Sequence, residues 1–129
     1  MGLCLSETEG ACWSSGEYLL SGIPVVSTHS AGGRALWYNI DNSTIVNDNE
    51  IAVKDGVNSL IKKQFSSKDI RSDHINKQVF FRNKFKKHLS SILSNHNIVI
   101  DVDQYFAEHF IDKMYSSVSV DTVINTFQR

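Results

Sequence analysis

The chain of 129 residues carries a formal net charge of −1, and 41% of its residues are hydrophobic and 21% charged. These values are ordinary for a globular domain with a real core, and they argue against a disordered chain. A net charge this close to zero also argues against a generic nucleic-acid binder. No apolar run approaches the roughly 20 residues of a membrane span, and Met1–Leu5 lacks the basic flank of a signal peptide. We therefore expect a cytoplasmic protein.

The chain opens with a short apolar run, Leu3 to Ser6, which predicts a buried parallel strand. Such a strand normally has neighbours on both sides, so we expect the sequence to be the tail of a longer protein. A loop is predicted at Glu7 to Cys12, and a helix from about Trp13 to Ser21. Gly22 fits the C-cap of that helix.

The next stretch returns to strands and loops. Pro24 marks the start of a strand, Val25-Val26-Ser27, and residues 28–33 form a second glycine-bearing loop. A single helical turn is predicted at 35–38 and a short strand at 43–46. Strand, helix, strand, loop and strand in this order predict an α/β fold, a Rossmann-like parallel sheet with flanking helices.

From residue 48 the pattern becomes mostly helical. Asp48 or Asn49 is the predicted N-cap of a helix with apolar positions at the 3.6-residue period, which Gly56 weakens by about 1 kcal/mol. A second helix is predicted from about Lys68 to Leu93. Its expected apolar side consists of Ile75, Val79, Leu89, Ile92 and Leu93.

A polar break at 94–97 precedes a third helix, capped by Asp101 or Asp103. A last helix is predicted at 120–127. The apolar positions of the third helix are Val102, Phe106, Phe110 and Met114.

The charge is unevenly distributed. Between Lys62 and His88 there are nine lysines or arginines and two acidic residues, Asp69 and Asp73. Such a basic helix is most often a solvated face. The alternative is peripheral contact with a membrane surface through Lys62 to His88, since basic residues near anionic lipid contribute about 1 kcal/mol each.

Two glutamates, Glu9 and Glu17, flank the start of the first helix. A carboxylate can accept hydrogen bonds from vicinal sugar hydroxyls, and N–H groups at a helix start attract phosphate. Ser14 and Ser15, with those N–H groups, could receive a diphosphate. The pattern indicates a sugar-nucleotide site; the alternative is a solvated loop residue and a surface helix residue.

At these residues the sequence resembles the C-terminal, donor-binding half of retaining nucleotide-sugar glycosyltransferases of the GT-B fold, in the large group-1 family. The resemblance covers residues 2–56, is weaker to residue 93, and ends there. The matching segments are Gly2-Leu3-Cys4-Leu5-Ser6, Glu9-Gly10, Glu17-Tyr18-Leu19-Leu20, Gly22-Ile23-Pro24-Val25-Val26-Ser27-Thr28 and Gly32-Gly33-Arg34.

The resemblance implies roles for these residues. Glu9 would be the catalytic residue beside the donor sugar, and Glu17 would bind the nucleotide ribose. The backbone amides after Glu9 would contact the diphosphate or sugar. Many relatives have Gly-Phe-Gly-Leu where this chain has Gly10-Ala11-Cys12-Trp13. The full set of nucleotide-sugar-binding residues implied is Glu9, Gly10, Ala11, Cys12, Glu17, Gly32, Gly33 and Arg34.

The resemblance also sets limits. The Arg and Lys that bind the diphosphate in relatives precede the first glutamate, and we expect this chain to lack both that segment and the N-terminal acceptor-binding half. We expect residues 1–93 to be a partial nucleotide-sugar-binding GT-B domain and 94–129 a helical extension of unknown role. The chain alone should not transfer sugar.

Several residues have simpler readings. Cys12 is expected to pack, since no histidine lies within the motif to activate it. Arg34 could reach a phosphate or be an exposed loop arginine. Neither the two cysteines, Cys4 and Cys12, nor the five histidines show metal-ligand spacing, so no metal or other cofactor is expected.

The functional expectation is hexose transfer, with retention, from a nucleotide diphosphate sugar to an unknown acceptor. One alternative is a non-catalytic module that binds a sugar nucleotide or a partner chain. The other is a basic protein that acts at a membrane surface, without nucleic acid.

Overall fold

A computed structural model of the chain describes residues 1–110. It contains a parallel three-stranded sheet, four α-helices and one 3-10 helix. The elements in chain order are β1 (Gly2–Cys4), α1 (Trp13–Leu20), β2 (Val25–Thr28), the 3-10 helix (Gly33–Trp37), β3 (Ser43–Val46), α2 (Glu50–Lys62), α3 (Ser67–Asn95) and α4 (Val102–His109). The predicted α/β class is therefore confirmed.

The strands lie in the order β1-β2-β3, with Leu3 opposite Val26 and Val26 opposite Thr44. The strand predicted over 3–6 is parallel, but it spans Gly2–Cys4 and only one of its faces is buried. Cys4 is 4% exposed, whereas Leu3 is 47% exposed because successive side chains of a strand point to opposite faces. Leu5, after the strand, is 41% exposed.

Helices cover both faces of this sheet. On one face the buried core combines Cys4 of β1, Leu19 of α1, Val25 of β2 and Ile70 of α3. On the other face α2 lies close to the strands, because a Cβ at Gly56 would lie 2.9 Å from Val46 Cγ1. The glycine that weakens α2 locally thus permits its close packing on the sheet.

The helix ends follow their sequence signals. Gly22, with φ 70°, follows α1, where its N–H donates to Leu19 O and the N–H of Ile23 donates to Tyr18 O at 2.8 Å. This is a Schellman motif, which satisfies the last carbonyl groups of the helix. Asn49 accepts the N–H of Ala52 at 2.9 Å and caps α2, as predicted.

The buried face of α3 differs from the predicted one. Ile75 and Val79 are 39% and 45% exposed, whereas Ile70 and His74 are buried. Hydrogen bonds from Asn39 and Asn42 to Asp73 hold the helix in this rotation, which the pattern of apolar residues alone does not predict.

The chain divides into two compact units, Met1–Phe81 and Arg82–Arg129, with the boundary inside α3. The structure describes residues 82–110 of the second unit. In it Asp101 caps α4, as predicted, by accepting the N–H of Gln104. Met114 and the helix predicted at 120–127 lie outside the described residues. A functional boundary at residue 93 stays a prediction.

Candidate functional site

Two loops meet at the carboxyl edge of the sheet, the edge at which open parallel sheets bind ligands. The loop after β1 carries Glu9, and the loop after β2 carries the Gly-Gly pair. The N–H of Ala31 donates to Glu7 O at 3.0 Å, and the N–H of Gly33 donates to Gly10 O at 3.2 Å. A side chain at residue 32 would collide with the Glu9 carbonyl oxygen. The structure therefore brings together Glu9 and the Gly-Gly pair.

Arg34 joins these two loops from within. It is 1% exposed, at the start of the 3-10 helix. Its Nη2 donates to Thr28 O at 3.0 Å and to Thr28 Oγ1 at 3.3 Å, and its Nη1 donates to Ser6 Oγ at 2.8 Å. Nη1 also lies 3.4 Å from Glu9 Oε2. The guanidinium thus contacts the ends of both strands and the candidate carboxylate.

One of the two sequence-based interpretations of Arg34 is wrong. It is not an exposed loop arginine, since it is buried and its terminal nitrogens contact Thr28, Ser6 and Glu9. The reason is compensation of charge: a buried guanidinium needs a carboxylate and several acceptors, and the converging strand ends supply them. Contact of Arg34 with a phosphate stays a prediction.

Glu9 has an unusual environment. Its side chain is 30% exposed, yet Oε2 is buried and accepts no hydrogen bond from the described residues. Ser6 Oγ donates to the other oxygen, Oε1. The Cys12 thiol, the Ser6 hydroxyl and the Arg34 guanidinium lower the pKa of Glu9 below its usual value. Glu9 is therefore an anion at neutral pH.

The start of α1 lies directly after this loop. No side chain caps the helix, and its first turn holds no acidic residue. Its N-cap, Cys12, has a left-handed backbone with φ 50°. Ala11, Trp13 and Ser14 are exposed here. A helix start of this kind offers N–H groups and a positive dipole end to an anion.

Ser15 does not take the predicted role. Its side chain is fully buried, and its Oγ donates to Tyr38 Oη at 2.8 Å. Ser15 lies four residues before Leu19, on the face of α1 that packs against the sheet, so its hydroxyl faces the core. Burial raises the pKa of Tyr38 to about 12, so the phenol stays protonated.

Glu17 lies exposed on α1, one helical turn after Trp13, and Gly10 is exposed as well. Cys12 is half-buried, with Sγ 3.9 Å from Cys4 Sγ. Burial and the neighbouring Glu9 raise the pKa of the Cys12 thiol to about 11. A thiol of this pKa is protonated at neutral pH, which is typical of a packed cysteine.

The opposite, amino edge of the sheet holds polar residues that the sequence did not single out. Asp73 Oδ2 accepts from Asn39 Nδ2 at 2.9 Å, Asn42 Nδ2 at 3.2 Å and Lys77 Nζ at 3.0 Å. A cavity of about 360 Å³ adjoins this cluster, and Phe65 is among the residues that line it. Asparagines just before a strand could have indicated a turn there.

His74 is a second residue that the sequence did not predict to be buried. It is 1% exposed and packs against Trp37, with ring centroids 5.0 Å apart. Its Nδ1 has no hydrogen-bond partner among the described residues. Burial, and then Lys77, lower its pKa. Its spacing of four residues from Ile70 was the available signal.

Three lysines of the basic segment Lys62 to His88 already contact other groups of the protein. Lys63 donates to Ile40 O, Lys77 pairs with Asp73, and Lys86 lies 2.6 Å from Asp103 Oδ1. Two of these lysines are paired with carboxylates, so the lysine charge available to an anionic surface is smaller than the sequence count. Among helices within residues 1–110, none is long and apolar enough to cross a membrane.

Over the same residues, no three His, Cys, Asp or Glu side chains are grouped in a way that could hold a metal ion. No protein family, curated protein or solved structure matches the chain. The site must therefore be interpreted from its own geometry.

Proposed function

We propose that the chain is the donor-binding part of a retaining glycosyltransferase of GT-B type, which moves a hexose from a nucleotide diphosphate sugar to an acceptor. One observation carries the proposal. The Glu9 loop and the Gly-Gly loop are hydrogen-bonded to each other at the carboxyl edge of a parallel sheet, directly before the uncapped start of α1. Carboxylate and helix start are thereby adjacent, as a sugar diphosphate requires.

The backbone at Cys12 supports the same proposal. A φ of 50° lies in the left-handed region, which favours glycine. Position 12 is where many members of the resembled family carry the second glycine of Gly-Phe-Gly-Leu. The local backbone is therefore of the kind that glycine would provide, although the residue is a cysteine.

In this proposal Glu17 accepts hydrogen bonds from the ribose hydroxyls, and Glu9 contacts the hexose. The amides of residues 10–12 donate hydrogen bonds to the diphosphate. Transfer also requires stabilisation of the negative charge that develops on the leaving diphosphate. Arg34 is engaged with Glu9 and Thr28, so the resembled family's upstream basic residues would have to supply this charge. We therefore expect donor binding by this chain and no sugar transfer without an acceptor-binding half.

Calorimetric titration with UDP-glucose, ADP-glucose and GDP-mannose tests the proposal. Glu17→Gln keeps the volume and removes the charge, and should weaken binding by roughly 1.5–3 kcal/mol, the contribution of a charged hydrogen bond. Glu50→Gln, at another exposed helical glutamate, is the matched control and should leave binding unchanged. Equal affinity of the Glu17→Gln variant and the unmodified protein would contradict the assignment.

A second candidate is a module that binds the sugar nucleotide without catalysis. The inward-facing guanidinium of Arg34 favours it, because the charge of Arg34 is engaged with Glu9 and not with a leaving diphosphate. The two functions differ in a transfer assay with the acceptor-binding half supplied: recovered, Glu9-dependent transfer supports the enzyme, and donor binding without transfer supports the module.

A further inference from the structure

Arg34 is held more rigidly than a loop arginine normally is. Its three hydrogen bonds go to Thr28, at the end of β2, and to Ser6, just after β1. Thr28 is held by its pairing with Val46, and Ser6 lies two residues after the last pair of β1, Cys4 opposite Ser27. The guanidinium therefore has one position relative to the sheet.

Glu9 lies between two groups that contact its two oxygens. Arg34 Nη1 is 3.4 Å from Oε2, and Ser6 Oγ donates to Oε1. The same Nη1 donates to Ser6 Oγ, so the three side chains form a closed ring of contacts. Within this ring each carboxylate oxygen has a different neighbour, which fixes the orientation of the carboxylate plane.

The ring depends on the charge of Arg34. Glu9 Oε2 is buried without a hydrogen bond, and a buried anionic oxygen is costly unless a cation compensates it. Without the guanidinium, Glu9 would take up a proton at higher pH or turn towards solvent. The Ser6 hydroxyl contacts the other oxygen, Oε1, so it does not compensate the buried Oε2.

We propose that Arg34 is the positioning residue of this site: it holds the Glu9 carboxylate in one orientation, so that Glu9 meets the donor hexose as an acceptor of hydroxyl hydrogen bonds. This inference rests on the proposed function for its ligand. In this inference Glu9 orients the sugar, and it does not act as a proton donor at neutral pH.

The first test needs no ligand. The titration of the Glu9 side-chain carboxyl is followed by NMR in ¹³C-glutamate-labelled protein, with Glu9→Gln to assign the signal. Arg34→Met should raise the pKa of Glu9, because it removes the cation 3.4 Å from Oε2. Arg34→Lys should keep it low, because the charge is retained. Arg71→Met is the matched control, since exposed Arg71 donates to Leu20 O and does not contact Glu9.

The second test measures the donor. For the best-binding of UDP, ADP and GDP, the affinities of the nucleoside diphosphate and of its glucose conjugate are compared in each variant. Arg34→Met should weaken binding of the glucose conjugate by about tenfold and binding of the diphosphate by no more than about twofold. If Arg34 had a purely structural role, its replacement would weaken binding of the diphosphate and of the conjugate equally. If Arg34→Met does not fold by circular dichroism, Arg34→Gln, which also removes the charge, supplies the same comparison.

The outcomes separate the two proposals. A Glu9 titration that is unchanged in folded Arg34→Met overturns the inference, whether or not a sugar nucleotide binds. Equal losses for diphosphate and conjugate also overturn it, while the proposed function stands. A shifted Glu9 titration in a protein that binds none of the sugar nucleotides supports the control of Glu9 by Arg34 and counts against the proposed function.

Discussion

The two edges of the sheet both carry buried polar side chains, and they differ in how completely these are satisfied. At the amino edge Asp73 accepts three hydrogen bonds, and Asn42 bonds to Trp37 O and to the N–H of Asn39. At the carboxyl edge Glu9 Oε2 and Arg34 Nε are buried without hydrogen-bond partners among the described residues. The hydrogen bonds of Asp73 and Asn42 are therefore satisfied, although the neighbouring His74 Nδ1 has no partner among the described residues, whereas Glu9 and Arg34 each keep a buried atom free to form a further hydrogen bond.

This difference indicates where ligand chemistry belongs. A saturated cluster fixes turns and helix rotation, because each of its groups already has a partner. An unsaturated cluster at a loop edge has a cost in stability, which is common at sites that bind or react. The following experiments test this contrast, in order of decreasing expected effect.

Gly32→Ala should be the most disruptive change. The new Cβ would collide with the backbone carbonyl of Glu9, so the two loops must separate. We expect a loss of about 3 kcal/mol in the free energy of unfolding, measured in urea. Gly33→Ala is the control, since its nearest neighbour would be Leu36 Cδ1 at 4.0 Å. Equal stability of the two variants would show that the loops are not held together as described.

Asn42→Ala tests the saturated edge. The side chain is 1% exposed, and its removal leaves the N–H of Asn39 and a bond of Asp73 without a partner. The expected loss is about 2 kcal/mol in urea denaturation. Asn47→Ala, at an exposed position directly after β3, should change stability little. A loss below that of Asn47→Ala would mean that the amino edge is not a structural cluster.

Cys12→Val tests the left-handed backbone before α1. A β-branched residue is strained at φ 50°, so we expect a loss of about 1 kcal/mol. Cys12→Gly should be close to neutral, because glycine accepts this conformation but loses the contact with Cys4. The stabilities of the two variants are compared by thermal unfolding. A valine variant as stable as the glycine variant would show that the backbone at residue 12 is not strained by a β-branched side chain.

His74 provides a test by pH. Its pKa is lowered in the folded state, so the unfolded chain takes up the proton first as the pH falls. Its contribution to stability is therefore complete above about pH 6.5, the unfolded value, and is lost as the pH falls towards the folded pKa. His74→Gln should flatten the decline in unfolding free energy below that pH. His29→Gln, at an exposed site, should keep the original slope.

Much of the secondary structure was predictable from local signals. The strand 43–46, the Asn49 cap and the Gly22 terminus agree with the sequence, because each depends on residues within one turn or strand. The meeting of Glu9 with Gly32 was also predictable, since parallel strands bring their following loops to one edge. The assignment of these residues to sugar-nucleotide binding stays a prediction.

The sequence by itself therefore determined the α/β order, the helix ends and the edge at which the candidate residues meet, because these follow from short-range propensity and strand direction. Only the tertiary structure decided which side chains face inward. Arg34 is buried because two strand ends and a carboxylate converge on it, and Ser15 and His74 are buried because α1 and α3 are rotated by contacts with distant residues. Such rotations arise from packing between elements far apart in the chain, which local patterns do not encode.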